Sequence, residues 1–97
     1  MVTYIATVHK EPDSDYGVQF YDFPGCITAG VTLEEAKLMA IEALEGHLSV
    51  MLCDSDEIPS PSSLETILAS PDTEDAIAFI VIDVPDTLKA AQTIFSR

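Results

Sequence analysis

The stretch Asp22-Phe23-Pro24-Gly25-Cys26-Ile27-Thr28-Ala29-Gly30-Val31-Thr32-Leu33-Glu34-Glu35-Ala36 decides the fold, because within it the hydrophobic period changes. Before it the pattern is that of strands and after it that of a helix. Pro24 presets φ and Gly25 supplies a conformation that other residues resist, so Asp22 to Gly25 reads as a tight turn. Cys26 to Gly30 then reads as a short strand. Thr32-Leu33-Glu34-Glu35 has the form of a capping box, with the threonine hydroxyl accepting from the amide three residues on and Glu35 reaching back to the Thr32 amide.

Upstream, Val2, Tyr4, Ala6 and Val8 alternate with Thr3, Ile5, Thr7 and His9, the period of a strand. The polar run from Lys10 to Asp15 reads as a hairpin loop. Tyr16, Val18 and Phe20 alternate again, so the two runs pair as antiparallel neighbours.

Downstream, Leu33, Ala36, Ala40, Ile41, Leu44, Leu48, Met51 and Leu52 recur at helical spacing, while Glu34, Glu35, Glu42 and Glu45 crowd the other side. The spacing predicts one helix ending near Asp54, with Gly46 costing it roughly 1 kcal/mol against alanine. Prolines and serines between Asp54 and Ser63 mark an extended connection, and Leu64 to Ala69 a short helical turn. The nearly unbroken apolar run Ile77 to Val84 reads as a strand that is central in the sheet or covered on both faces. Its arrival through a helical crossover predicts that it lies parallel to the first strand. Residues 86–97 read as a closing helical tail, with Leu88, Ala91, Ile94 and Phe95 at helical spacing. The fold class is therefore α+β, a three-stranded antiparallel meander, a long helix and a fourth strand. One domain spans 1–97, with its core in 1–85.

Composition limits the function. Seventeen acidic residues stand against four basic ones, for a net charge of −13 in 97 residues. Lys10, Lys37, Lys89 and Arg97 form no patch for phosphates, so direct nucleic acid binding is not expected. With 47% apolar and 22% charged residues the chain has globular composition. It shows neither a membrane span nor the pattern of a signal peptide, and a cytoplasmic protein is the expectation. Cys26 and Cys53 fit no metal or redox spacing and read as structural thiols. No nucleophile elbow, phosphate loop or metalloprotease motif is present, so no catalytic residue, cofactor or metal is assigned. His9 and His47 read as surface or edge-of-core side chains. A magnesium-dependent nuclease built on Asp22, Glu42 and Asp83 stays as an alternative, although an acid-rich chain supplies such triplets by chance. The helical carboxylates read equally as a solubilising surface or as a partner-binding one.

The order Tyr4-Ile5-Ala6, Asp15-Tyr16-Gly17-Val18-Gln19-Phe20, Asp22-Phe23-Pro24-Gly25-Cys26, Gly30, Thr32-Leu33-Glu34-Glu35-Ala36 and Ile58-Pro59-Ser60-Pro61-Ser62 resembles the HicB antitoxin family. The resemblance covers roughly the first two thirds of the chain. It implies a partial ribonuclease-H-like domain, β-β-β-α-β, without nuclease activity. It also implies a small basic HicA-type toxin as partner, an mRNA-cleaving protein whose RNA surface and catalytic histidine the antitoxin blocks. Tyr21 stands where the family often has proline and Val31 where a polar residue is common. Many members continue into a DNA-binding domain, and autorepression by this chain alone is not expected. An acidic domain suits such a partner by competing for its cationic surface. The expected contacts are the helix face of Glu34, Glu35, Glu42 and Glu45, or the loop carrying Asp13, Asp15 and Asp22. The remaining alternative is an orphan module that self-associates through an exposed strand edge, and a homo-oligomer is expected in either case.

Overall fold

The structure, a computed structural model, describes residues 2–84. Four strands, β1 (Val2–His9), β2 (Tyr16–Phe20), β3 (Ile27–Gly30) and β4 (Ala78–Val84), form one sheet in the order β3-β2-β1-β4. Helix α1 (Leu33–Cys53) follows the meander, and a short helix α2 (Leu64–Leu68) and a 3₁₀ turn (Pro71–Thr73) precede β4. The closing helix expected over 86–97 lies outside the described residues.

The β1 side chains sort by parity. Tyr4, Ala6 and Val8 face α1 and are buried with Val18, Phe20, Ile80, Ile82 and Val84. From the helix, Ala36, Ala40, Leu44 and Leu48 complete this core. The i, i+4 spacing of those four residues keeps them on one stripe over the sheet. Small residues at its start allow a close approach: a Cβ added at Gly30 would stand 2.3 Å from the Ala36 backbone nitrogen. Leu33, expected on the packed face, is exposed, because it precedes the turn at which the helix settles on the sheet.

Both ends of α1 close as local chemistry dictates. The Glu35 amide donates to Thr32 Oγ1 at 3.0 Å. The returning Glu35 carboxylate accepts from the Val31 amide at 3.0 Å, one residue before the expected Thr32 amide. At the other end Ser55 adopts φ 58°. The Ser55 amide donates to the Leu52 carbonyl and the Asp56 amide to the Met51 carbonyl, at 3.2 and 2.9 Å. This is a Schellman closure with serine in the place usually held by glycine.

Strand β4 departs from expectation in two ways. It pairs antiparallel with β1, from Val2↔Val84 to Val8↔Ala78, and not parallel. The crossover rule applies when a helix alone returns the chain to the strand's starting end. Here the segment after α1 makes a second traverse. Tyr4 Oη donates to the Pro59 carbonyl and Asp22 accepts from Ser62 at one end of the sheet. His9 Nδ1 and Asp75 Oδ1 meet 2.9 Å apart at the other, and the Ile77 amide donates to the Val8 carbonyl there. The traverse runs over the face opposite α1, where Thr7 and Thr73 are buried and Ile67 is 0% exposed. The chain thus enters β4 beside the end of β1 and must run back along it.

Second, β4 is an edge strand with one face open. Ile80, Ile82 and Val84 are buried, whereas Ile77, Phe79 and Val81 are 58%, 37% and 61% exposed. The apolar run reflects hydrophobic residues on both faces, not cover on both faces.

Candidate partner-binding surfaces

Four of the expected contact residues share a surface. Helical geometry sets Glu34 and Glu45 within roughly 20° of one azimuth, and Glu35 and Glu42 within roughly 20° of another about 90° round. All four are exposed. Between the two rows stands Leu38, 67% exposed, an apolar side chain framed by carboxylates. Glu35 also serves the helix, through its bond from Val31. The ridge repels other anions along its length and offers one apolar contact at its centre.

The loop carboxylates divide. Asp13 and Asp15 are exposed between β1 and β2. Asp22 lies at the far end of β2, in the turn toward β3, so it does not join them in one loop. Its Oδ2 accepts from the Ser62 amide at 3.0 Å and its Oδ1 from the Ser62 hydroxyl. Asp22 therefore ties the turn to the segment leaving α1. The nuclease triplet is not assembled either: Asp83, on β4, accepts from Thr3 Oγ1 at 2.7 Å. Among the described residues no group of three or more histidines, cysteines or acidic residues could hold a metal ion.

The motif most specific in the sequence serves the fold. Phe23 is buried with its ring centre 4.8 Å from Tyr4, 6.4 Å from Phe20 and 5.6 Å from His47, all edge-on. Such aromatic contacts add about 0.5–1.5 kcal/mol each beyond area burial. Gly25 holds φ 90°, which a side chain would strain. Cys26 is buried, and burial pushes its thiol pKa up, while Cys53 is exposed. Burial, with the Asp22 charge nearby, likewise raises the Tyr4 phenol. His9 is held between Asp75 and Thr7, with Nε2 2.8 Å from Thr7 Oγ1. These groups brace the turn and the sheet.

One surface escaped the sequence reading. The open edge of β4 and the start of α1 enclose a shallow groove lined by Leu33, Glu34, Lys37, Phe79 and Val81. Its signal was present in the odd-numbered apolar residues Ile77, Phe79 and Val81, but their exposure depends on what covers them.

Known proteins resemble the chain throughout this frame. The profile of a family described as the HicB-like antitoxin of bacterial toxin-antitoxin systems matches residues 4–94. An uncharacterized 14.9 kDa protein of Haemophilus phage HP1 is 38% identical over 86 residues, which are 88% of this chain. The chain spans 65% of that relative's length. The crystal structure of the N-terminal domain of the Burkholderia pseudomallei antitoxin HicB is similar with a TM-score of 0.72 and 26% identity. That match covers 87% of this chain and 99% of the other. A chain of a toxin-antitoxin complex from Streptococcus pneumoniae matches with a TM-score of 0.67 and 25% identity, over 84% of this chain and 69% of its own. No described helix is long and apolar enough to cross a membrane. With its α+β sheet order, its capped helix and a profile match over nearly its whole length, the chain belongs to the HicB-like antitoxin family.

Proposed function

We infer that this chain neutralises a small basic toxin of the HicA type, holding it through the acidic ridge of α1. The observation that carries the reading is the concentration of Glu34, Glu35, Glu42 and Glu45 around the exposed Leu38 on the face of α1 turned away from the core. A toxin that binds RNA needs a cationic surface, and such a surface is attracted by this ridge before contact. Once docked, Leu38 supplies the dehydrated contact around which the charges close. Asp13 and Asp15 extend the negative field from the loop, and Asp22 contributes through its hold on Ser62. Neutralisation is then steric and electrostatic: the antitoxin occupies the surface that RNA would use.

In this reading the chain is a single HicB-like domain over 97 residues, without catalytic residue, metal or cofactor of its own. It works in the cytoplasm, where the toxin meets mRNA. The similarity to a chain from a toxin-antitoxin complex supports a toxin partner.

A pull-down of the tagged full chain from its native lysate, at low and moderate salt, tests the proposal. Mass spectrometry should find one small basic protein in stoichiometric amount, released as salt rises. Recovery of the bait alone, with a HicA-type protein detected in the unbound lysate, would overturn it.

A further inference from the structure

We propose that a cleft on the sheet face opposite α1 receives an arginine side chain from a basic protein. Thr7, Gln19 and Ile27 are neighbours across β1, β2 and β3 on that face. Together with Tyr21, Asp72 and Thr73 they line a cleft of about 250 Å³ between the turn after β2 and the 3₁₀ turn. Pockets for drug-sized ligands begin at roughly 300 Å³, so this space suits one long side chain and not a cofactor. The inference is independent of the toxin reading, because the ridge of α1 stands on the other side of the sheet.

Two polar groups fix the sign of the ligand. Thr73 Oγ1 donates its one proton to the Ile67 carbonyl at 2.7 Å, with the Ser70 carbonyl 3.0 Å away, so toward the cleft this oxygen can only accept. Asp72 is exposed, and among the described residues its carboxylate receives neither a hydrogen bond nor an ion pair. Gln19 adds an amide whose carbonyl can accept as well. No lysine or arginine lines the cleft. A cation rich in N–H groups therefore meets partners here where an anion meets repulsion, and the net charge of −13 raises its local concentration.

The shape selects arginine over lysine. Tyr21 is 39% exposed and gives the cleft an aromatic wall, with Ile27 exposed at the rim. A guanidinium is flat and presents its N–H groups as a fork, so it can stack on Tyr21 while its edge reaches Asp72 and Thr73. Its methylene stem can then cover Ile27. An ammonium is a compact, strongly hydrated charge that gains less from such a wall. Both sides of the cleft are fixed beforehand, which lowers the cost of ordering them on binding. Asp22 ties the turn after β2 to Ser62, and Ser70 Oγ accepts from the Asp72 amide at 3.3 Å.

Titration of the full chain with N-acetyl-arginine amide, followed by nitrogen-15 NMR, tests this. Salt of about 0.15 M screens charges more than about 8 Å apart and so suppresses diffuse attraction. Saturable shifts are expected at the amides of Gln19, Tyr21, Ile27 and Thr73, with the lysine counterpart binding about tenfold more weakly. Asp72→Asn and Tyr21→Ala should each raise the dissociation constant by about tenfold or more, whereas Tyr21→Phe, which keeps the ring, should stay within about twofold. Both positions are exposed, and the same spectra report that each variant keeps its fold. The proposal is overturned by shifts scattered over the acidic surface, by an equal response to the lysine amide, or by no saturable shift at these four amides. An affinity unmoved by Asp72→Asn also overturns it.

Discussion

The carboxylate of Asp22 receives two hydrogen bonds from Ser62, forty positions away in sequence, one from the amide at 3.0 Å and one from the hydroxyl. It fastens the turn after β2 to the segment that leaves α1, and so helps set where the chain begins its second traverse. Removing it leaves a partly buried amide and hydroxyl to find water. Asp22→Ala should cost about 2 kcal/mol and Ser62→Ala about 1, with a double variant well short of their sum. Urea denaturation of the four proteins checks this. Additive losses would mean that the pair does not act as a unit.

Gly30 offers a harsher test of packing. A methyl group there would meet the backbone of Ala36 at 2.3 Å, and backbone cannot swing aside as a side chain does. Gly30→Ala must lift the first turn of α1 from the sheet or shift β3. A loss of about 3 kcal/mol or more in thermal or urea unfolding is expected, large among single substitutions. Gly46, with nothing within 4 Å of an added Cβ, is the control. There alanine should stabilise by up to about 1 kcal/mol through helix propensity.

The end of α1 holds an opposite opportunity. Ser55 sits at φ 58° with its amide bonded to Leu52, so the conformation is fixed by the closure and not by the side chain. A non-glycine residue in the left-handed region bears a strain of roughly 1 kcal/mol. Ser55→Gly should therefore raise stability by about 0.5–1 kcal/mol despite the greater freedom of glycine in the unfolded chain. Differential scanning calorimetry, read as a rise in Tm, decides the sign.

Much of this frame was legible in order of residues. Thr32 and Glu35 announced the start of α1 because capping is local chemistry, and Ala36, Ala40, Leu44 and Leu48 announced its buried stripe because helical spacing is local geometry. The meander followed from alternation in β1 and β2. The direction of β4 was not legible, since it depends on where residues 54–77 deliver the chain. That path is set by Tyr4 with Pro59, Asp22 with Ser62 and His9 with Asp75, contacts with no periodic trace. The candidate surfaces divide likewise. The glutamates of α1 showed as a stripe, whereas Phe79 and Val81 could be called exposed only once β4 was seen at the edge.

Tyr4 makes stability depend on alkaline pH. Burial, then the Asp22 charge, raises its phenol above the usual 10.0 in the folded protein. The folded state thus holds its proton more tightly than the unfolded state. That advantage is fully present below the unfolded pKa and is lost as pH rises through the folded one. The buried Cys26 thiol, raised above 9.0, acts in the same direction. As pH rises above the ordinary thiol and phenol values the urea midpoint should fall. Tyr4→Phe should start less stable by about 1 kcal/mol, having lost its bond to Pro59, and then fall less steeply. An equal slope in both proteins would assign the alkaline loss elsewhere.

The acidic ridge is tested through rates. Glu34, Glu42 and Glu45 are exposed and, among the described residues, carry no bond that the helix depends on, whereas Glu35 accepts from the Val31 amide and its loss would loosen the cap. Reversal of Glu34, Glu42 and Glu45 to lysine keeps that cap. If the ridge steers a basic toxin, association at low salt should slow by roughly ten- to a hundredfold in the triple variant, and the difference should shrink as salt screens the charges. Dissociation should change less, because rim charges act mainly on encounter. Leu38→Ala should do the reverse, leaving association near wild type and speeding dissociation several-fold as a central apolar contact is lost. Stopped-flow or surface-resonance kinetics at two salt concentrations separate these effects. If the triple variant and Leu38→Ala both bind as wild type does, the toxin does not sit on this face of α1.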